Sequence, residues 1–262
     1  MYFNKVMKKE EVMTLHEVED THWWYLGHRY LFSSLLETYC PEAMRGEVLD
    51  AGCGTGGFTQ WFKDKYDPQG IAGIEISEEA LAICEQRGLK GIKRSSVDNI
   101  DFPDASFDLV MCFNVLNHYA VKNDVGALVE MKRVLKPGGY LLLNLPARKY
   151  LRGRHDLAVG DVRRYEAGEI REKLAKAGLE PIRITYFNLT LLPALAAYRL
   201  ITRVRPGEEI HSDLWLPPAP INRILTSLLA LEARLASRRG LPNGSSLTTL
   251  ARRPNADLTP LP

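Results

Sequence analysis

One short stretch, VLDAGCGTGGF at residues 48–58, constrains what this chain can fold into more than any other. A brief apolar run ends in closely spaced glycines and leads into a helical pattern. That is the opening of a β–turn–α unit, and such units assemble into a mostly parallel sheet with helices on both faces. Glycine lets the backbone turn left-handed and lie bare against a ligand. The stretch fits two ligand patterns. Gly52-x-Gly54-x-x-Gly57 is the dinucleotide fingerprint, in which the helix N-terminus holds a diphosphate. Asp50-x-Gly52-x-Gly54-x-Gly56 places a carboxylate at the strand end instead, suited to a cationic ligand.

The chain keeps the rhythm that this turn begins. EVLDAG predicts a first strand and FTQWFKDKY the helix behind it. GIAGIEIS is a second strand, ending at Glu75. SEEALAICEQRG is a helix with Ser77 as its N-cap, acids in its first turn and glycine at its end. IKRSSV and FDLVMCFN follow as strands three and four, then a helix over 122–135. Pro137-Gly138-Gly139 turns into YLLLNLP, strand five. After Pro146 comes a polar loop at 147–165, the helix EAGEIREKLAKAG, strand LEPIRITYFN and a last strand, SSLTTLARR. Before the sheet, residues 6–20 have partial helical spacing, HWWYLGHRY is an aromatic patch, and 28–39 reads as a helix ended by Cys40-Pro41. The fold class is therefore α/β, a doubly wound, seven-stranded, Rossmann-like sheet.

Two helical stretches, 189–204 and 221–238, lie between strands six and seven, where a minimal fold of this kind needs only a short connection. They predict an inserted helical cap. In the second, Ile221, Ile224, Leu225, Leu228, Leu229 and Leu235 recur at helical spacing with Glu232 among them. Expected boundaries are an N-terminal lid at 1–46, a core at 47–188, the insertion at 189–244, a last strand at 245–253 and a disordered tail at 254–262. The insertion suits a pocket cap or a homodimer contact, and its arginines, including Arg199, Arg203, Arg205 and Arg234, keep peripheral membrane contact open.

Composition excludes more than it selects. The net charge of +2 over 262 residues gives no footprint for nucleic acid. Cysteines at 40, 53, 84 and 112 form no CxxC pair, so no metal site is expected. No apolar run is long enough to span a bilayer, and the first residues lack a secretory core. A reduced, cytoplasmic setting is the expectation.

Later segments choose between the two ligand patterns. A carboxylate at Glu75 can take ribose hydroxyls of either ligand. SSVDNIDFPDASFDLV and LKPGGYLLLNLP then appear in order after it. With LDAGCGTG, residues 47–147 resemble the class I S-adenosylmethionine-dependent methyltransferases, and HWWYLGHRY resembles the WWFRGR-type segment of one subset. The resemblance implies S-adenosylmethionine as cofactor. Asp50, Gly52, Cys53, Gly54, Gly56 and Phe58 would form its amino-acid end, and Glu75 and Ile76 the ribose site. Ser96, Val97, Asp98, Phe113 and Asn114 would line the adenine and the cleft. Where the family often has Asp in a GDA triplet, this chain has Ser96. From the aromatic patch, Trp24 would face the sulfonium and Arg29 the cofactor carboxylate.

Methyl transfer to oxygen or nitrogen is helped by a base. His118, just after strand four, and His155 with Asp156, in the loop after strand five, are the candidates. His22 and the triplet Arg163-Arg164-Tyr165 would bind a small-molecule acceptor, and the local excess of arginine suggests an acidic one. O-methylation is the leading expectation. N- or C-methylation, a methyltransferase-fold protein with another reaction such as cyclisation, and an NAD(P)-dependent oxidoreductase remain alternatives.

Overall fold

The computed structural model describes residues 9–201 and 214–255. Arg203, Arg205 and most of the expected tail lie outside that range. In chain order the elements are α1 (Lys9–Val18), α2 (Trp23–Tyr39), β1 (Glu47–Ala51), α3 (Gly57–Tyr66), β2 (Gly70–Glu75), α4 (Glu78–Gln86), β3 (Ile92–Arg94) and β4 (Phe107–Phe113). Then follow α5 (Asp124–Val134), β5 (Leu135–Pro146), α6 (Arg154–Ala158), α7 (Ala167–Ala177), β6 (Glu180–Phe187), α8 (Leu192–Ile201), α9 (Ala219–Arg239) and β7 (Ser246–Arg252).

The seven strands form one sheet in the order β3-β2-β1-β4-β5-β7-β6. Strands β1 to β5 pair in parallel, while β7 is antiparallel to both β5 and β6. The chain runs outward from β1 to β3, then returns to lay β4 against the other side of β1. That reversal opens a crevice at the carboxyl ends of β1 and β4, where ligands of such sheets bind.

Local chemistry sets the element ends. The Ser77 hydroxyl accepts the Ala80 N–H, and Asn123 accepts the Gly126 N–H at the start of α5. Gly178, at φ +70°, stops α7. Helix α2 starts at Trp23, five residues before the expected start, because His22 caps it: its Nδ1 accepts the Trp24 N–H. Within the loop at 147–165, the short α6 forms where none was expected.

Apolar side chains fill both sides of the sheet. On one side Leu31 and Leu35 of α2, Phe62 of α3 and Leu229 of α9 pack on Met111, Leu142 and Phe187. On the other, Leu128 and Met131 of α5 and Ile170 and Leu174 of α7 pack on Val110 and Leu141. Burying each such side chain contributes roughly 2 kcal/mol.

Helix α9 therefore belongs to a layer of the core. Its buried residues are Leu229, Glu232, Ala233, Ala236 and Ser237, whereas Ile221, Ile224, Leu231 and Leu235 are exposed. The expected apolar face is rotated because Ala233 and Ala236, with Leu229 as the one leucine, form the buried face. Contact there is tight: a Cβ on Gly27 would lie 2.5 Å from Leu229 Cδ1. Buried Glu232 accepts the N–H groups of Leu189 and Thr190, which fastens the chain leaving β6 to α9.

Candidate active site

A cavity of about 810 Å³ lies over the carboxyl ends of β1, β2, β4 and β5 and is walled by α1, α2 and α8. The glycine loop forms its floor. Gly52 and Gly56 have φ of +88° and +80°, and a Cβ on Gly52 would stand 2.3 Å from Val115 Cγ2. Only glycine meets both demands. Beside Gly54 nothing stands within 4 Å of a Cβ position, so the backbone there is open to a ligand.

Two carboxylates flank the loop. Asp50 is buried and its Oδ2 accepts the Thr59 hydroxyl at 2.6 Å. Burial pushes its pKa up to about 7, with the Thr59 hydrogen bond opposing and the charges of Glu75 and Glu19 adding to the rise. Glu75 clasps the turn: Oε2 accepts the Gly54 N–H at 3.0 Å, and Oε1 accepts the N–H groups of Ile76 and Ser77 at 2.7 and 2.9 Å.

Glu19, at the end of α1, was not among the sequence candidates. It is 6% exposed and lies on the N-terminal end of α3, where a Cβ on Gly57 would be 2.3 Å from its Cδ. Its Oε1 accepts the Thr55 hydroxyl at 2.5 Å and an Arg87 N–H at 2.7 Å. Burial raises its pKa, while Thr55 and Arg87 pull the other way. A dinucleotide would need this helix terminus for its diphosphate. Here a carboxylate already fills it, so the dinucleotide reading has no place for its most acidic group. A sulfonium nucleoside carries an ammonium and a diol, which suit Asp50, Glu75 and the bare Gly54 backbone. No sequence signal placed Glu19 here, because it lies more than thirty residues from the loop in a helix of ordinary composition.

The remaining cofactor candidates divide. Cys53, Phe58, Ile76, Ser96, Val97, Phe113, Asn114, Trp24 and Arg29 line the cavity. Phe113 stacks on Phe32 at 4.4 Å and meets the Phe58 edge at 4.6 Å, forming an aromatic wall. Arg29 Nη2 donates to Glu19 O, Asp20 Oδ1 and Gly57 O, tying both N-terminal helices to the loop. Asp98 is exposed and does not line the cavity, which corrects its assignment. Gly56 shapes the loop from outside it.

The expected acceptor-side residues are altered most. Tyr165 is fully buried, and its hydroxyl is within 3.0 Å of both Leu116 O and Asp124 Oδ2. Arg163 donates to the carbonyls of Leu116, His118 and Val121. Neither lines the cavity. Arg164 does, but its Nε and Nη2 fork grips Asp156 at 2.6 and 3.0 Å. Burial would raise the Asp156 pKa, yet Arg164, the Gly153 N–H and Arg199 together hold it below the ordinary value. Asp156 is thus a structural anion, 1% exposed and off the cavity, and not a base. The triplet fastens the loop to the segment between β4 and α5 and offers no ready grip for an acidic acceptor.

Histidines 22, 28, 118 and 155 all line the cavity. His118 Nδ1 accepts the Ala120 N–H at 3.2 Å, so in the neutral ring the proton sits on Nε2. Burial, aided by Lys122, pushes its pKa down to about 4. His118 therefore presents a donor to the cavity. His22 is likewise fixed by the Trp24 N–H, and burial lowers it to about 4. His28 has the opposite tautomer. Its Nδ1 donates to Trp24 O at 2.8 Å, which leaves the Nε2 lone pair bare. Nε2 is buried without a partner, and so is Oδ1 of Asn188, another cavity residue. The Phe187 ring packs edge-on against His28 at 4.9 Å, so both atoms lie beside the end of β6.

Comparison with known proteins places this geometry. Residues 49–143 match the methyltransferase domain family. An uncharacterized methyltransferase of Schizosaccharomyces pombe is 36% identical over 137 residues, covering 47% of each chain. A fatty-acid O-methyltransferase of Mycolicibacterium smegmatis is 35% identical over 121 residues, covering 44% of this chain and 43% of that protein. The chain thus spans about half the length of the curated relatives it matches. Among solved structures, an S-adenosylmethionine-dependent methyltransferase from Mesorhizobium loti superposes with a TM-score of 0.57 at 19% identity, covering 87% of this chain and 98% of that one. Residues 49–143 are thus similar to the methyltransferase domain family, and the fold is that of solved S-adenosylmethionine-dependent methyltransferases.

Proposed function

We propose that this protein transfers a methyl group from S-adenosylmethionine to a hydroxyl of a small, uncharged acceptor. The observation that carries the reading is the pairing of Asp50 and Glu75 around an open Gly54 backbone, with Glu19 closing the neighbouring helix end. When bound, the cofactor supplies an electrophilic methyl carbon on a sulfonium leaving group.

The chain's own residues do the rest. Asp50 takes the ammonium, Glu75 the ribose diol, and Ser96 and Val97 the adenine edge. Helices α1 and α2 act as the lid, with Trp24 shielding the cationic centre from water. On the acceptor side, His28 Nε2 and Asn188 Oδ1 both accept hydrogen bonds, so they select a ligand that donates them. A hydroxyl bound there would donate its hydrogen bond to His28 Nε2, which would take up its proton, while the bound cofactor would supply the methyl group and leave as the neutral thioether. The acidic groups of Glu19, Asp50, Glu75 and Asp161 line the same cavity, with burial pushing Asp50 and Asp161 up to about 7, while Arg29 and Arg164 are paired. Those charges favour a neutral acceptor over an acidic one.

Calorimetric titration with S-adenosylmethionine, S-adenosylhomocysteine and NADH tests the cofactor reading. Micromolar binding of the first two with none of the third is expected; NADH binding alone would overturn it.

A further inference from the structure

The chain exposes an apolar surface that methyl transfer does not require. On α9, Ile221, Ile224, Leu228, Leu231 and Leu235 recur every three or four residues. Four of the five are between 49% and 67% exposed, and Leu228 is partly covered. Core packing does not account for them, since α9 meets the core through Leu229, Ala233 and Ala236. Leu200 and Ile201 at the end of α8 add to the surface, at 60% and 81% exposed.

The surface and the cavity share two helices, with Tyr198 of α8 and Leu225 of α9 among the cavity's lining. Tyr198 and Trp215 line the cavity and are also 45% and 63% exposed. Leu195, Leu214 and Leu225 continue the apolar lining inward. A wall that is apolar from the pocket to the outside suits an acceptor with an apolar tail.

Charge identifies what covers this surface. Among the described residues of 189–201 and 214–240 the only acid is Glu232, which is buried on backbone N–H groups. Arg223, Arg234, Arg238 and Arg239 are exposed on α9. On α2, Glu37 is taken by Lys65 and Tyr66. A second copy docked through α9 would bring arginines together with no acid on either helix to pair them, against the rule for helix pairing. An anionic lipid surface supplies both the apolar depth and the counter-charge. Among the described residues no helix is long and apolar enough to cross a membrane, so contact would be from one side.

The geometry points to α9 and the end of α8 as a docking surface for an anionic bilayer, which the cavity mouth would then face. It rests on the surface alone and not on the transfer reaction, so binding can be read without cofactor or acceptor.

The test is sedimentation of the full chain with vesicles of phosphatidylcholine, and of phosphatidylcholine mixed equally with phosphatidylglycerol. Binding to the mixed vesicles is expected, at least tenfold tighter than to phosphatidylcholine alone and lost in high salt. Replacing Arg234 and Arg238 by serine should weaken it by about fivefold per arginine. The exposed pair Ile224→Ser/Leu231→Ser should weaken it more than tenfold, with S-adenosylhomocysteine affinity unchanged in both variants. No vesicle binding, or binding indifferent to headgroup and arginines, would overturn the proposal. So would a dimer in solution that Ile224→Ser/Leu231→Ser breaks, since the second copy would then be the occupant.

Discussion

The two walls of the cavity are built differently. The cofactor wall comes from the ends of neighbouring strands, and the chain itself largely satisfies its polar atoms. Glu75 holds three backbone N–H groups, Asp50 the Thr59 hydroxyl and Glu19 the Thr55 hydroxyl. The wall proposed for the acceptor is assembled from α2, the end of β6 and α8, and there His28 Nε2 and Asn188 Oδ1 have no partner. A wall that is already satisfied holds its shape before the ligand arrives. A wall with orphaned atoms selects its ligand by what those atoms lack.

The sharpest way to break this contrast is to remove a proton acceptor from the second wall. His28→Gln is expected to lower kcat by about 100-fold or more, the usual worth of a general base. Its affinity for S-adenosylhomocysteine should stay within twofold of the parent, within the ~0.4 kcal/mol that a neutral change costs. His118→Gln should leave most of the turnover in place. If the two variants exchange these behaviours in steady-state kinetics, the tautomer assignment fails.

Charge removal on the first wall comes next. Asp50→Ala and Glu75→Ala should each weaken cofactor binding by about 30- to 100-fold, as expected for hydrogen bonds to a charged group. Calorimetry would show it, and near-parental affinity in both would undo the assignment. Gly27→Val should then cost about 2 kcal/mol of stability through overpacking against Leu229, read by denaturant unfolding.

The smallest effect sharpens the role of Asp50. In the free protein its pKa is raised to about 7. A cationic ligand favours the ionised form, so S-adenosylmethionine should bind more tightly as pH rises from 6 to 7.5, by at most about tenfold per unit. Asp50→Asn should flatten that slope. The stability contribution runs the other way. Between the ordinary carboxylate value and about 7 the native state keeps a proton that the unfolded chain has lost, so this group's contribution to stability falls as pH rises through that window and levels above it.

Much of the first wall was legible in the sequence because it is local. Asp50 and the glycines form a single turn, and Glu75 ends the next strand. The seven strands and most helices announced themselves by apolar pattern and by caps such as Ser77. Legibility failed where meaning depends on distant packing. The Arg163-Arg164-Tyr165 triplet has the composition of an anion site, yet its groups turn inward onto the carbonyls of Leu116, His118 and Val121 and onto Asp156 and Asp124. The buried face of α9 holds one leucine, Leu229, among alanines and polar residues, which carry little hydrophobic signal, so the leucine stripe misled. His28 has no spacing partner in the chain; only its hydrogen bond to Trp24 O distinguishes it from His118. Glu19 is visible only once α1 is folded over the loop.

The position of β7 sets the order in which the protein can be completed. Strand β7 is made last, yet it lies between β5 and β6. During synthesis β5 keeps one edge unpaired, and β6 has no neighbour in the sheet until residues 246–252 leave the ribosome. The Phe187–Asn188 corner, which supports His28 and holds Ser245, is therefore shaped only once residues 246–252 are made. A nascent chain can possess its glycine loop long before it possesses a place for an acceptor. An open strand edge of that kind invites association with other chains. Until β7 is made, the edges of β5 and β6 that it will pair stay open to such association.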